Sequence, residues 1–347
     1  MKLVDLRSDT VTRPTPAMRR AMAEAEVGDD LYGEDPTVNR LQEAAARLLG
    51  FEAALFVPSG TMGNEIAIRL LTEPGQEVLT DARTHVVQHE LAGMAVLSGV
   101  APHTVPTEDG RLRAEHVRRA VKPRMANRPE IGLVLLENTH NLGGGAVLTV
   151  EETEEVIAAS REAGLRVHID GARLWNAAVA LGVAPRELAA GADTLMVDLS
   201  KGLCCPVGAL LLGSAERMVR ARRVRQQLGG GMRQAGVLAA PALVALESMI
   251  PRLAEDHANA RRLGEALGRC RGARISPVQT NIVVAALEGR TAPDAVAALR
   301  ERGVLASAMD AQTLRLVTHH DVSGADCEHA AAVIREVLAS PIPAGAC

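Results

Sequence analysis

Three observations predict an α/β protein with a mostly parallel, seven-stranded sheet followed by a smaller α+β region. Strand-type apolar runs alternate with amphipathic helical stretches along most of the chain. Asp170 and Lys201, each near the end of an apolar run, are spaced like equivalent points of one strand–helix–strand unit of roughly 30 residues. The 347 residues exceed one typical domain and leave room for a second core.

Ala53–Val57 reads as the first strand, running through Pro58-Ser59-Gly60 into a helix over Thr61–Leu71. Further strands are expected at Glu77–Thr80, His103–Val105, Ile131–Leu136, Leu165–Ile169, Thr194–Val197 and Val207–Leu212. Helices are expected at Thr37–Leu49, Ala114–Val121, Val150–Ala163 and Ala215–Gln227. From Gln234 to Leu267 runs a helical Ala/Leu/Arg-rich connector, with an interruption expected at Pro251. Beyond it, Asn281–Ala286 and Thr313–Val317 read as strands and Ala292–Arg302 and Gly324–Leu338 as helices. No repeat or low-complexity tract is evident.

Only Phe51, Phe56, Tyr32 and Trp175 are aromatic, so aliphatic packing must carry the core. A net charge of −4 gives no reason to expect nucleic acid or an acidic membrane as partner. Cys204, Cys205, Cys270, Cys327 and Cys347 lack zinc-type spacing. Asp5 and Arg7 interrupt any apolar leader, and no apolar run approaches the ~20 residues that cross a bilayer. A reduced, cytoplasmic protein is the expectation.

A lysine for the aldehyde and an acid for the ring nitrogen are what pyridoxal phosphate requires, and Lys201 with Asp170 would supply both. A lone Lys201 would read as a solvated loop residue, and Asp170 as a strand-end cap. A shared carboxyl edge, where open α/β sheets bind ligands, favours the paired reading. Gly60 and Thr61 open a helix after a strand, a place suited to a phosphate or to a simple cap. Arg233, closing Gly229-Gly230-Gly231-Met232-Arg233, is a second phosphate candidate unless that run is merely a flexible loop. His85 starts a helix-like stretch and could stack on a ring or move protons near neutral pH. His168-x-Asp170 and His319-His320-Asp321 resemble metal ligands, but His168 reads as a core residue, and Thr318 or Asp321 as a cap of the next helix. No metal is expected. Arg315 lies on an apolar strand and needs an anion, either a structural or a substrate carboxylate.

These residues resemble the L-threonine aldolase family of fold-type-I, aspartate-aminotransferase-like pyridoxal-phosphate enzymes. The likeness covers nearly the whole chain. It runs through Leu6–Thr12, Val27–Gly33, Pro58–Thr61, Glu137–Asn141, Asp170–Arg173, Ser200-Lys201-Gly202, Gly229–Gln234 and Arg315–His319. It implies an arm at 1–25 packing with the small domain, a large cofactor domain at 26–245 and a small domain at 246–347. It implies that Lys201 takes the cofactor aldehyde, that Asp170 pairs with the ring nitrogen and that His85 stacks on the ring. Gly60 and Thr61 would bind phosphate with Arg233 from a neighbouring subunit, and Tyr32 would also cross to a partner. Ser8, Arg173 and Arg315 would hold the substrate carboxylate, in a homotetramer of active-site-sharing dimers.

The implied reaction is cleavage of L-threonine, L-allo-threonine and other L-β-hydroxy-α-amino acids to glycine and an aldehyde, with His85 as the base. It serves threonine breakdown and glycine supply. A β-eliminating lyase is the alternative, and a non-catalytic sensing module a remote one. Three departures stand out: Cys204-Cys205 where a small residue is usual, which predicts redox sensitivity, and Asn127 and Gln226 where some relatives carry histidine and lysine. The last two bear on preference at Cβ.

Overall fold

Residues 3–339 are described by the structure, a computed structural model. Cys347 and the first two residues lie outside them. The chain divides into two compact units: Pro14–Ile250, and the segment through Arg13 together with the chain from Pro251 on. The expected arm at 1–25 is thus split at Arg13, and the later boundary falls at Pro251 rather than after residue 245.

In chain order the strands are β1 (Val4–Asp5), β2 (Ala53–Val57), β3 (Glu77–Asp81), β4 (Ala101–Val105), β5 (Ile131–Glu137), β6 (Arg166–Gly171), β7 (Thr194–Asp198), β8 (Ala209–Gly213), β9 (Ala273–Ile275), β10 (Ile282–Leu287), β11 (Val304–Leu305), β12 (Ser307–Ala308) and β13 (Thr313–Val317). The helices are α1 (Pro16–Ala23), α2 (Pro36–Leu49), α3 (Gly60–Leu71), α4 (His85–Gln88), α5 (Gly93–Ser98), α6 (Ala114–Ala120), α7 (Val150–Glu162), α8 (Leu174–Leu181), α9 (Ala215–Gln227), α10 (Gly236–Gly268), α11 (Ala292–Glu301) and α12 (Gly324–Ala339).

The larger unit holds a seven-stranded sheet in the order β2-β8-β7-β6-β5-β3-β4. Neighbours from β7 through β4 are parallel, while β8 runs antiparallel to both β2 and β7. The central strands β7 and β8 are buried along their whole length, as helices on both faces of a parallel sheet require, whereas edge strand β4 is largely exposed. The parallel strands β3, β5, β6 and β7 carry acidic residues at or next to their carboxyl ends, Asp81, Glu137, Asp170 and Asp198, on one edge of the sheet.

Helix α3 is capped by Ser59, whose hydroxyl accepts from Met62 N, and it lies close on β7. A Cβ at Gly63 would sit 2.7 Å from Met196 Cγ, so only glycine lets α3 approach this closely. The smaller unit pairs β1 with β11 and builds a four-stranded antiparallel sheet, β12-β13-β10-β9, around a core of Leu6, Leu263, Leu299, Leu314, Leu316 and Ile334.

Two expectations are corrected in α10. It is one continuous helix through Pro251, not an interrupted one. A proline inside a helix costs about 3 kcal/mol, and the full burial of Ala239, Ala242, Ala245, Leu253, Ala260 and Leu263 outweighs it. The proline marks where the two units divide instead of where the helix ends. The helix is also long and apolar enough to cross a membrane, with a window of mean hydropathy 1.5. Of that window 39% is buried.

Candidate active site

Strand register brings the two predicted residues together. β6 and β7 are parallel neighbours, with Asp170 opposite Met196 and Gly171 opposite Val197. Asp170 lies inside β6, not beyond it, and Lys201 follows the end of β7. Lys201 Nζ is 3.4 Å from Asp198 Oδ2, and its side chain is mostly covered. The turn is held by Asp198 Oδ1, which accepts from both the amide and the hydroxyl of Ser200. Trp175 Nε1 donates to Asp198 O at 3.1 Å, tying the buried indole to the same turn.

Asp170 is buried, and both its oxygens are positioned: Oδ1 accepts from Ala172 N and Oδ2 from Asn64 Nδ2 at 2.9 Å. Asn64 also donates to Glu90 Oε1 at 2.9 Å, and its Oδ1 lies 3.1 Å from His168 Nε2. His168 Nδ1 is 2.8 Å from Thr194 Oγ1. Burial lowers the His168 pKa to about 4, so the ring is neutral. Its Nε2–H then donates to Asn64, and its Nδ1 accepts from the threonine. The expectation of a core histidine at 168 agrees with this placement.

His85 is the first residue of α4. Its amide donates to Glu137 Oε2 at 2.7 Å, and its Nδ1 lies 2.7 Å from Glu90 Oε1. Burial alone would lower the pKa of His85, but the Glu90 hydrogen bond and the charges of Asp170, Glu90 and Glu137 raise it overall. Burial raises Glu90 as well. Ligand atoms of His85, Glu90 and Asp170 all lie within 4.8 Å of one another, a metal-like grouping that neither histidine pair singled out in the sequence forms. Asn64 already donates to both carboxylates, which marks the trio as a proton and hydrogen-bond network.

Glu137 ties further residues in: its Oε1 accepts from Asn141 N, and Asn141 Oδ1 accepts from Arg173 Nη1 at 3.4 Å. Behind it, His140 Nε2 lies 3.2 Å from Asp81 Oδ1, while Gly143 N donates to His140 Nδ1. Burial lowers the His140 pKa, and Glu137 and Asp81 raise it beyond that. The amide pointing at Nδ1 nevertheless fixes the ring in its neutral form with the proton on Nε2, and the geometry decides. Hydrogen bonds outweigh burial at Asp81 and hold it down to about 2.

At the head of α3, Ser59 takes the amides of Met62 and Gly63, and among the described residues no acceptor is recorded for those of Gly60 and Thr61. Two open amides at the positive end of a helix suit a phosphate. A Cβ at Gly60 would lie 3.2 Å from Asp198 Oδ2, so α3's first turn adjoins the Lys201 turn. The triple glycine also closes on this turn: a Cβ at Gly230 would fall 2.2 Å from Met62 Sδ. Lysine, buried acid, histidine and open amides at one sheet edge fit a pyridoxal phosphate.

Other candidates are placed elsewhere. Tyr32 is 73% exposed, and the exposed Arg233 reaches Asp29 at 3.3 Å. The motif around them is anchored by a buried ion pair, Arg225 Nη2 to Asp30 Oδ2 at 2.6 Å. Ser8 and Arg315 belong to the smaller unit. Ser8 caps a turn at Asp9–Val11, and Arg315 is mid-strand opposite Val284. Ser323, and neither Thr318 nor Asp321, caps α12: its hydroxyl accepts from Asp326 N. Thr318 donates to Asp256 O, and Asp321 accepts from Arg13 N.

Asn127 precedes the amino end of β5, while Glu137 closes its carboxyl end. Seven residues of strand, roughly 20 Å, separate it from its own site edge. Gln226 fills the space beside Gly231. Cys204 and Cys205 are buried, and burial pushes the Cys205 thiol up, which argues against the expected redox sensitivity. Cys204 has φ of 65°, the backbone region that favours glycine. Sequence reading missed Asn64, Glu65 and Glu90. Their roles come from contacts across the fold and leave no spacing signal.

The fold and this edge define a fold-type-I pyridoxal-phosphate enzyme. A beta-eliminating lyase family profile matches residues 5–289. The chain is 43% identical to low-specificity L-threonine aldolase 1 of Arabidopsis thaliana over 97% of both chains. It is 42% identical to the low specificity L-threonine aldolase of Escherichia coli K12, over 97% of this chain and all of that one. A solved threonine aldolase of Leishmania major superposes with a TM-score of 0.83 at 23% identity, covering 97% of this chain and 100% of that one. The chain belongs to the beta-eliminating lyase family and, within it, to the low-specificity L-threonine aldolases.

Proposed function

We propose that the protein cleaves L-threonine and L-allo-threonine to glycine and acetaldehyde with pyridoxal phosphate bound at the β6–β7 edge. Asp170 near the end of β6, and Lys201 in the turn just past the end of its parallel neighbour β7, carry this reading. When bound, pyridoxal phosphate supplies an aldehyde for an amine and a cationic ring that draws electrons from Cα. Lys201 would be the amine that holds it, and Asp170 would keep the ring nitrogen protonated through a charge-assisted hydrogen bond. The amides of Gly60 and Thr61 would hold its phosphate.

His85, its Nδ1 fixed by Glu90, presents its other nitrogen to the substrate and takes the β-hydroxyl proton. The Cα–Cβ bond breaks, the hydroxyl carbon leaves as the aldehyde, and a proton returns to Cα to give glycine. Arg173 is assigned to the carboxylate, which sets the bond that is aligned for cleavage. The roles of Ser8 and Arg315 at that carboxylate rest on family likeness. So do those of Tyr32 and Arg233 in a neighbouring subunit and the homotetramer, supported by the exposure of both side chains. A cytoplasmic location and a place in threonine breakdown belong to the same reading.

Product analysis tests it. The loaded protein should release equal glycine and acetaldehyde from L-threonine and from L-allo-threonine, and the two rates give the preference at Cβ. Ammonia with a 2-oxo acid would instead assign the β-eliminating chemistry for which the family is named.

A further inference from the structure

Glu65, on α3 directly after Asn64, is 2% exposed, yet neither of its carboxylate oxygens has a partner. Its environment is acidic. Glu90, from the linker between α4 and α5, is the charge that acts on it, and Glu90 Oε2 is itself buried without a partner. His85 pairs with Glu90 through Oε1 only, and among the described residues no cation reaches Glu65 or Glu90 Oε2. α5 reads Gly-Met-Ala-Val-Leu-Ser, and β6 brings only neutral His168 and Asp170, through Asn64. On α3 itself Arg69 turns away to Leu97 O. His85 of α4 takes Glu90 Oε1, and the His89 ring, just past α4, lies 5.3 Å from that of His85.

The linker is shaped to admit this carboxylate. A Cβ at Gly93 would lie 2.2 Å from Glu65 Oε1, and Leu91 and Ala92 both hold left-handed backbone, φ 54° and 59°. Such strain persists only where the surroundings enforce it. Three orphaned carboxylate oxygens would be costly as two anions, and a shared proton removes the cost by turning one acid into a donor.

We infer that Glu65 is kept as the neutral acid and donates to ionised Glu90, making Glu65 a positioning residue for His85. Glu90, so held, is the anion that fixes His85 Nδ1. Burial, and then Glu90, raise the Glu65 pKa to about 7, so the neutral acid predominates below that pH and is lost above it. Ionising Glu65 would place a second negative charge beside Glu90 and tighten the hold on the His85 proton. The catalytic meaning rests on the proposed function, but the protonation state does not.

The test therefore uses cofactor-free protein first. Difference infrared spectroscopy of the wild type should show a protonated carboxyl band that disappears between about pH 6 and 8 and is absent in Glu65→Gln. Glu65→Gln, which mimics the neutral acid, should keep the fold and remove from the His85 NMR titration the upward shift that ionising Glu65 adds above about pH 7 in the wild type. With pyridoxal phosphate loaded, it should retain cleavage and lose the alkaline dependence. A wild-type carboxylate already ionised at pH 6, or one whose band responds to potassium or sodium in place of protons, would overturn the inference. If the protonated band is found while no aldehyde is ever produced, the function fails and the acid pair stands.

Discussion

Asn64 Nδ2 donates to Asp170 Oδ2 at 2.9 Å across 106 positions of sequence, and the same nitrogen donates to Glu90 Oε1. One amide thus sets both the acid meant for the ring nitrogen and the acid that orients His85. Hydrogen bonds to charged groups contribute about 1.5–3 kcal/mol. Asn64→Ala should therefore weaken pyridoxal-phosphate binding by roughly 10- to 100-fold, read by titrating apoprotein at the cofactor's absorbance. Unchanged affinity would mean that Asp170 needs no such support.

Two buried groups titrate with opposite effects on stability. Glu65, raised from 4.5 to about 7, favours the folded state at low pH, and that contribution is lost as pH rises through this window. His168, lowered from 6.5 to about 4, does the reverse: its neutral form is favoured above 6.5, and stability falls as pH drops toward 4. Each effect is on the order of 3 kcal/mol, so they largely cancel between about pH 4.5 and 6.5. Single variants should unmask them. By chemical denaturation, Glu65→Gln should gain stability with rising pH across that window, and His168→Gln should lose it.

Strands were legible where aliphatic runs bounded by polar residues need no tertiary information: β2 and β13 have the boundaries that the residues alone suggest, as does helix α9. Asp170 and Lys201 were legible for the same reason, their spacing being that of one crossover unit. Asn64, Glu65 and Glu90 were not, since a polar residue inside a helical pattern looks solvent-facing until the opposite strand is known. Pro251 misled because local propensity there is overridden by burial along α10.

Trp175 is the only tryptophan and donates to Asp198 O, three residues before Lys201. Its emission should change when pyridoxal phosphate is added to apoprotein, saturating with the absorbance change. A constant signal would place the cofactor elsewhere.

Burial governs the cysteines. Cys204, Cys205 and Cys327 are buried, and burial pushes Cys327 up to about 12, while Cys270 is partly exposed. A thiol reagent should label Cys204, Cys205 and Cys327 only after denaturation, which peptide mapping would reveal. Rapid native labelling of Cys204 would restore the redox reading.

If Arg233 and Tyr32 act across a subunit boundary, two inactive variants should complement each other. Mixing and reassembling Lys201→Ala with Arg233→Ala subunits should restore up to about a quarter of wild-type cleavage, because random pairing makes half the dimers hybrid, each with one intact site. No recovery would place Arg233 in its own subunit's site or outside any site.

The most direct test of the β6–β7 edge as the cofactor site is borohydride reduction of the pyridoxal-phosphate-loaded protein, followed by proteolysis and mass mapping. The account predicts a single phosphopyridoxyl group on Lys201, lost together with cleavage of L-threonine in Lys201→Ala. The label on another lysine, or cleavage persisting at the wild-type rate in Lys201→Ala, would contradict it.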